Sequence, residues 1–334
     1  MKANDFSYYV HKFLVDYLPN ERGSSTNTIE TYRYTFMLLL EFLSTKGINP
    51  EKVKIENITR KLILDFLDWL ENDRKSSIST RNNRLACIFS FCRFLQYDYP
   101  DYLNNYVEIL NIKLKKAIQP TVPYIDIEGM KLLMKQPNRK NDKENRDYFI
   151  LLILYESAIR VSELINLKIS SFHITKPYYI KILGKGNKER LVPVNENVVN
   201  EFNKYIKRYS LENEPIDHLL IFNTRGEAFS RVAINNILKK YINRATENGK
   251  YNYPVNVTPH ILRHSKAMHL LQAGVNLVYI RDILGHTSIQ TTEIYARADS
   301  KKKQEAIEAA YQNIYPDDKA KWKNKNILDW LKSF

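Results

Sequence analysis

Only two cysteines occur in 334 residues, Cys87 and Cys92, five positions apart within a helical pattern. Two thiols alone supply neither a disulfide framework nor the ligand set of a structural zinc site. They are expected to pack as small apolar groups in a reducing cytoplasm. Long apolar runs are also missing. The longest, Tyr148 to Tyr155, falls far short of the roughly 20 residues needed to span a bilayer. The amino terminus lacks the charged-then-apolar pattern and cleavage site of a secretory leader, and neither an internal repeat nor a low-complexity tract is present.

What is present is ordinary for a globular protein, with 44% hydrophobic and 26% charged residues. At roughly 150 residues per domain, the length predicts two domains, each with its own core. Lys and Arg number 51 against 37 Asp and Glu, a net charge of +14. That surplus favours a polyanionic partner, because neutralising phosphates releases condensed counterions; a basic protein with no such partner would show the same sum. The charge is unevenly spread. Residues 1–120 hold 17 basic and 14 acidic side chains, leaving 34 and 23 for the remainder. Phosphate-facing work is therefore expected mostly in the C-terminal part.

Periodicity predicts helices throughout residues 1–112. Asn27 and Glu30 form a candidate capping pair for a helix with Ile29, Tyr32, Phe36, Leu39, Leu40 and Leu43 at helical spacing, stopped by Gly47 and Pro50. Further helices are predicted from about Thr59 to Leu70 and from about Ser79 to Leu95. The last sets Leu85, Ile88, Cys92 and Leu95 in one stripe, with Arg81, Arg84, Asn83 and Ser90 on the other face. Such a face suits either solvent or a DNA groove. Lys113, Lys115 and Lys116 run into Pro120 and Pro123, and residues 113–123 read as a linker. Beyond it, helices are predicted at about 126–135, 144–156 and 161–167. Tyr178–Leu183 and Leu191–Val194 then read as strands joined by a glycine-bearing turn, with helices again from about 196. The fold class is thus mainly α with a small β-hairpin or sheet (α+β).

Four segments carry candidate chemistry. Arg160 interrupts an apolar pattern, with Glu163 one turn on and able to orient it. Lys185 lies between Gly184 and Gly186 at the hairpin tip, where the backbone can approach a ligand closely. His260 and Arg263 share a face of a helix opening at Pro259. Gly285 suits the end of a helix over 276–284, projecting His286, and Tyr295 follows nine residues later. Read singly, each has an ordinary explanation: a salt-bridged arginine, a solvated basic turn, a structural histidine, one tyrosine among 23.

Read together and in order, they resemble the tyrosine recombinase, or phage integrase, family. The resemblance rests on the Arg160 segment, the hairpin Gly184-Lys185-Gly186-Asn187-Lys188-Glu189-Arg190, His260-x-x-Arg263, Leu284-Gly285-His286 and Tyr295. It covers residues 124–300 closely, and residues 8–112 more loosely at Glu21-Arg22-Gly23 and Asn27-Thr28. The implied organisation is a helical, SAM-like core-binding domain at 1–112 and a catalytic domain at 124–334 ending in a tail helix. The implied function is site-specific DNA recombination through a 3′-phosphotyrosyl intermediate, with neither metal nor nucleotide cofactor. In the implied roles, Arg160 and Arg263 bind the non-bridging phosphate oxygens and His286 adds a donor. His260 accepts the phenolic proton of the nucleophile Tyr295, and Lys185 protonates the leaving 5′ oxygen.

The family pattern also implies double-stranded recombination sites as partner, a dimer on each site, a tetramer in synapsis and a bacterial, nucleoid-associated setting; a related recombinase as second partner stays open. Arg81, Arg84, Lys188, Arg190 and Lys266 are candidate DNA contacts, Lys266 standing where the family commonly has an apolar residue. No arm-binding module precedes the helical segment, which argues against the larger lambda-like members. Thr291–Ala298 and Ser265–His269 look like recombinases of bacterial mobile elements, against an Xer-type dimer resolvase, a type IB topoisomerase or an inactive DNA-binding relative. A charged helix at 300–312 and apolar Trp322, Ile327, Leu328, Trp330, Leu331 and Phe334 suggest a tail that docks on its own domain or on a neighbour.

Overall fold

The computed structural model describes residues 5–117, 122–184, 188–247, 249, 251–286 and 288–298. The tail helix expectations, the hairpin tip with Lys185 and part of the linker lie outside these residues. The chain divides into two compact units, Met1–Pro120 and Thr121–Phe334.

The first unit is helical. Helix α1 (Asp5–Lys12) continues into a π-helical segment, Phe13–Glu21, followed by α2 (Thr26–Thr45), α3 (Arg60–Asn72), α4 (Ile78–Asp98) and α5 (Leu103–Leu110). Helix starts are set by side-chain acceptors: Thr59 accepts from the Leu62 amide and Ser77 from that of Thr80, at 3.2 Å each. Helix α2 begins two residues earlier than the Asn27 cap predicts, after Ser25, whose hydroxyl pairs with that of Thr28 at 2.9 Å. It ends before Gly47, whose φ of +74° reverses the chain at no side-chain cost. The stripe Leu85, Ile88, Cys92 and Leu95 is buried as expected, and Phe13, Phe36 and Phe91 meet edge to face at its centre.

The opposite face of α4 departs from expectation. Arg81 is only 3% exposed, and its Nε lies 3.0 Å from Glu71 on α3; Ser90 is buried and accepts from Arg22 at 2.7 Å. Arg84 donates to the Thr31 carbonyl and the Thr35 hydroxyl and lies over the Tyr34 ring. Helix α4 is packed on two sides, so Arg84 and Arg81 tie it to α2 and α3, while Asn83 stays exposed.

The second unit places α6 (Ile127–Met134), α7 (Asp142–Glu156) and the single turn α8 (Val161–Leu164) ahead of a three-stranded antiparallel sheet. Its strands are β1 (Phe172–His173), β2 (Tyr179–Leu183) and β3 (Glu189–Pro193), in the order β1-β2-β3. Helices α9 (Glu196–Arg208), α10 (Arg231–Glu247), α11 (Pro259–Gln272), α12 (Leu277–Leu284) and α13 (Gln290–Ala298) follow. Strand β1 escaped prediction because two residues give no readable period. Helix α11 packs against α7, α10, α12 and α13. It sends Ile261 and Leu262 into the main core and Ala267, Met268 and Leu271 into a second cluster that also contains Tyr295. That central position brings distant chain segments to its first two turns. Among the described residues, no helix is long and apolar enough to cross a membrane.

Replacing Arg81 by Ala should lower the stability of the chain by about 2 kcal/mol in chemical denaturation. A broken buried pair costs roughly 3–5 kcal/mol, less here because Glu71 keeps Lys115 at 2.7 Å. The salt dependence of DNA affinity should stay unchanged; a slope reduced by about one, with stability intact, would return Arg81 to the DNA interface.

Candidate active site

The site forms where α8, β3, α11, α12 and α13 converge. Helix α12 ends at Gly285, which takes the left-handed conformation with φ +63°. The last carbonyls of a helix lack intrahelical partners and sit at the negative end of its dipole. Three consecutive carbonyls here each receive an arginine. Ile283 accepts from Arg190 Nε at 3.0 Å, Leu284 from Arg263 Nη2, and Gly285 from Arg160 Nη2 at 3.4 Å.

Arg263 is 1% exposed, and its Nη1 donates to the Ala158 carbonyl at 2.7 Å. Ala158 itself holds a left-handed φ of +49°, strained for a residue with a Cβ. None of the described carboxylates bonds to Arg263. Burial, and then the charges of Arg160 and Arg190, pull its pKa down to about 9. A buried guanidinium in that condition is stabilised by any anion that reaches it.

The nearby carboxylate, Glu163, serves the other two arginines. It accepts from the Arg160 amide at 2.9 Å, Arg160 Nη1 at 3.0 Å, and both terminal nitrogens of Arg190 at 2.9 and 2.7 Å. Burial pushes the Glu163 pKa upward, but the Arg190 hydrogen bonds, the Arg160 amide and the two positive charges outweigh it and hold the group below its usual range. Three guanidiniums against one carboxylate leave the site with a surplus of positive charge.

His286 follows Gly285, and its Nδ1 is 3.0 Å from the buried Thr292 hydroxyl. Burial, Arg263 and Arg160 lower its pKa to about 4. Tyr295, on α13, has 0% exposure, and burial raises its phenol to about 12 against the pull of Arg263 and Arg160. Its hydroxyl lies 2.7 Å from Nδ1 of His264. His264 is lowered to about 4 by burial, His260 and Arg263. His260, exposed on the first turn of α11, is likewise lowered, first by desolvation and then by Arg263 and Arg160.

Four of the six expected catalytic residues can thus be joined through described contacts: Arg160 and Arg263 through the α12 terminus, His286 beside it, and Tyr295 on the facing helix. His260 is near, but the phenol is bonded to His264. The two rings lie edge to face with centroids 5.0 Å apart, as residues four apart on a helix do. That i, i+4 spacing was the available signal for His264; Thr292, three residues before Tyr295 on α13, carried none.

Two of the candidate DNA contacts here have other partners. Arg190 pairs in register with Ile182 and is in phase with the buried Val192, so the two-residue strand period turns it inward, toward Glu163. Lys266 forms an ion pair with Glu156 at 2.7 Å and lies over the Tyr155 ring. Lys188 is exposed.

The site histidines make acid stability a test of this geometry. Between about pH 6.5 and 4 the unfolded chain binds protons that folded His264 and His286 refuse, so acidification favours unfolding, and this stability is fully present only above about 6.5. Thermal unfolding measured at pH 7 and pH 5 should show the loss, and His264→Gln or His286→Gln should flatten it by up to about 1.4 kcal/mol per pH unit. An unaltered slope would mean that neither ring is buried as described.

The chain matches known proteins over nearly its whole length. The phage integrase family profile covers residues 123–302, and the SAM-like N-terminal domain of phage integrases covers residues 12–97. A Sinorhizobium fredii protein provisionally named integrase/recombinase is 31% identical over 97% of both chains. Tyrosine recombinase XerD of Halalkalibacterium halodurans is 31% identical over 82% of this chain and 88% of its own. The Tn1549 transposon integrase, solved with transposon right end DNA, shares the fold at a TM-score of 0.68 and 17% identity, covering 90% of this chain and 99% of the other. The chain belongs to the phage integrase family and is a tyrosine recombinase, an enzyme that cleaves and rejoins DNA strands at specific sites.

Proposed function

We propose that the reacting phosphodiester binds between Arg160 and Arg263 and is attacked by Tyr295. The observation that carries this reading is the convergence of two guanidiniums, one imidazole and one phenol, from separate chain segments, on the end of α12. Attack on phosphorus adds negative charge to its non-bridging oxygens, and fixed donors aimed there are the largest catalytic contribution in such sites. Thr292 holds Nδ1 of His286, which leaves Nε2 to donate to one of these oxygens.

The Tyr295 oxygen forms the new bond to phosphorus as the bond to the 5′ oxygen breaks. The phenolic proton passes to His264, the imidazole already bonded to it, with His260 alongside, and Lys185 supplies a proton to the leaving oxygen. A 5′ hydroxyl of the recombining strand reverses these steps. One phosphoester replaces another, so no nucleotide is consumed. The substrate is a pair of double-stranded sites, each bound by a dimer, with strand exchange in the tetramer. Residues 1–112 act as the core-binding domain and 124–334 as the catalytic one.

The biological role we favour is movement of a bacterial element, on the segments Thr291–Ala298 and Ser265–His269 and on the integrase/recombinase relative. A second reading, resolution of chromosome or plasmid dimers, is favoured by the 31% identity to XerD.

The test is a pool of randomised, nicked duplexes from which the chain captures its own site as a denaturation-resistant adduct. Tyr295→Phe should abolish the adduct and leave DNA affinity within about twofold. Wild-type adduct should form in excess EDTA. An adduct that survives in the Phe variant would place the nucleophile elsewhere, and relaxation of supercoils without exchange between two sites would indicate a topoisomerase.

A further inference from the structure

Arg190 remains without a role in the reaction as described, although it is the residue most fully engaged around the site. Its guanidinium takes one oxygen of Glu163 with each terminal nitrogen, and its Nε takes the Ile283 carbonyl. Its side chain is 11% exposed. It also fills the space beside two glycines. A Cβ on Gly285 would lie 2.9 Å from Arg190 Cδ, and one on Gly184 would lie 3.3 Å from Arg190 Nη1. Those glycines belong to the two motifs that carry His286 and Lys185.

We propose that Arg190 is a positioning residue that sets Arg160 and the His286 turn together, without contacting DNA. The inference rests on the reading that Arg160 and His286 face the reacting phosphate. The physical basis is competition for Glu163. With Arg190 present, each carboxylate oxygen is shared between two donors, and the Arg160 guanidinium engages Glu163 through Nη1 alone while its Nη2 reaches the Gly285 carbonyl. Without Arg190, the freed oxygens of a buried carboxylate draw the Arg160 fork into a two-pronged pair, a frequent Arg–carboxylate geometry. That turns the guanidinium away from the phosphate. The Ile283 carbonyl loses its partner at the same time, and the space beside Gly285 opens. A planar, five-donor fork is required to hold Glu163 and Ile283 at once, which the lysine ammonium, a single point of charge, cannot do.

The experiment uses the full-length chain and the nicked duplex captured by the wild type, and measures adduct formation at saturating DNA, affinity across a salt series, and thermal midpoint. Arg190→Met should cleave about 100-fold more slowly at saturation, the scale of an ångström-sized misplacement, with affinity and its salt slope unchanged. Arg190→Lys should recover only part of the rate. Glu163→Gln combined with Arg190→Met should be no slower than the slower single variant, because both act through one contact.

Unchanged cleavage in Arg190→Met overturns the proposal. So does a loss of affinity with a salt slope reduced by about one and an unaltered saturated rate, the signature of a phosphate contact. Should Arg190→Met fail to fold, Arg190→Lys decides: rate and affinity falling together with the folded fraction make Arg190 a structural brace only. Absence of any wild-type adduct would be a failure of the parent reading, seen before a variant is made.

Discussion

Three guanidiniums gathered in one partly buried site repel one another, and everything around the site is arranged to hold them there. One carboxylate, Glu163, and three successive carbonyls at the end of α12 perform that task. The carbonyls are available because a helix end leaves them unpaired, and they are close together because Gly285 turns the chain within one residue. The result is a site whose charge is only partly compensated. In the proposed reading a phosphate supplies what is missing, and binding energy and transition-state stabilisation come from the same frame.

The proposed nucleophile is held under the opposite condition. Tyr295 has no accessible surface and a phenol raised to about 12, bonded to an imidazole lowered to about 4. In that state the proton belongs to the phenol. A negative charge arriving beside this pair favours protonated imidazole.

The sequence made the fold class, most helices of both units and the order of the candidate site residues legible, because helical periodicity and the spacing of Gly184, Arg263, Gly285 and Tyr295 are local signals. The division of the chain at Pro120 falls inside the proline-bearing stretch read as a linker. What was illegible depends on tertiary partners. Arg81 and Arg190 read as free cations until α3 and α8 supply Glu71 and Glu163. For Arg190 the strand period held the answer, since a residue in phase with Val192 and opposite Ile182 faces the core. His264 was visible within the motif, yet only the packing of α13 on α11 shows which of the two histidines meets the phenol.

On the reading proposed above, Glu163 and the end of α12 set the arginine frame, which receives the phosphate without rearranging. A crystal structure of the Tyr295→Phe chain on its captured DNA site tests it most directly. The scissile phosphate should lie on Arg160 and Arg263, with Arg190 still bridging Glu163 and the Ile283 carbonyl. Arg190 released from Glu163 and bound to the phosphate, or a phosphate seated away from Arg263, would contradict it.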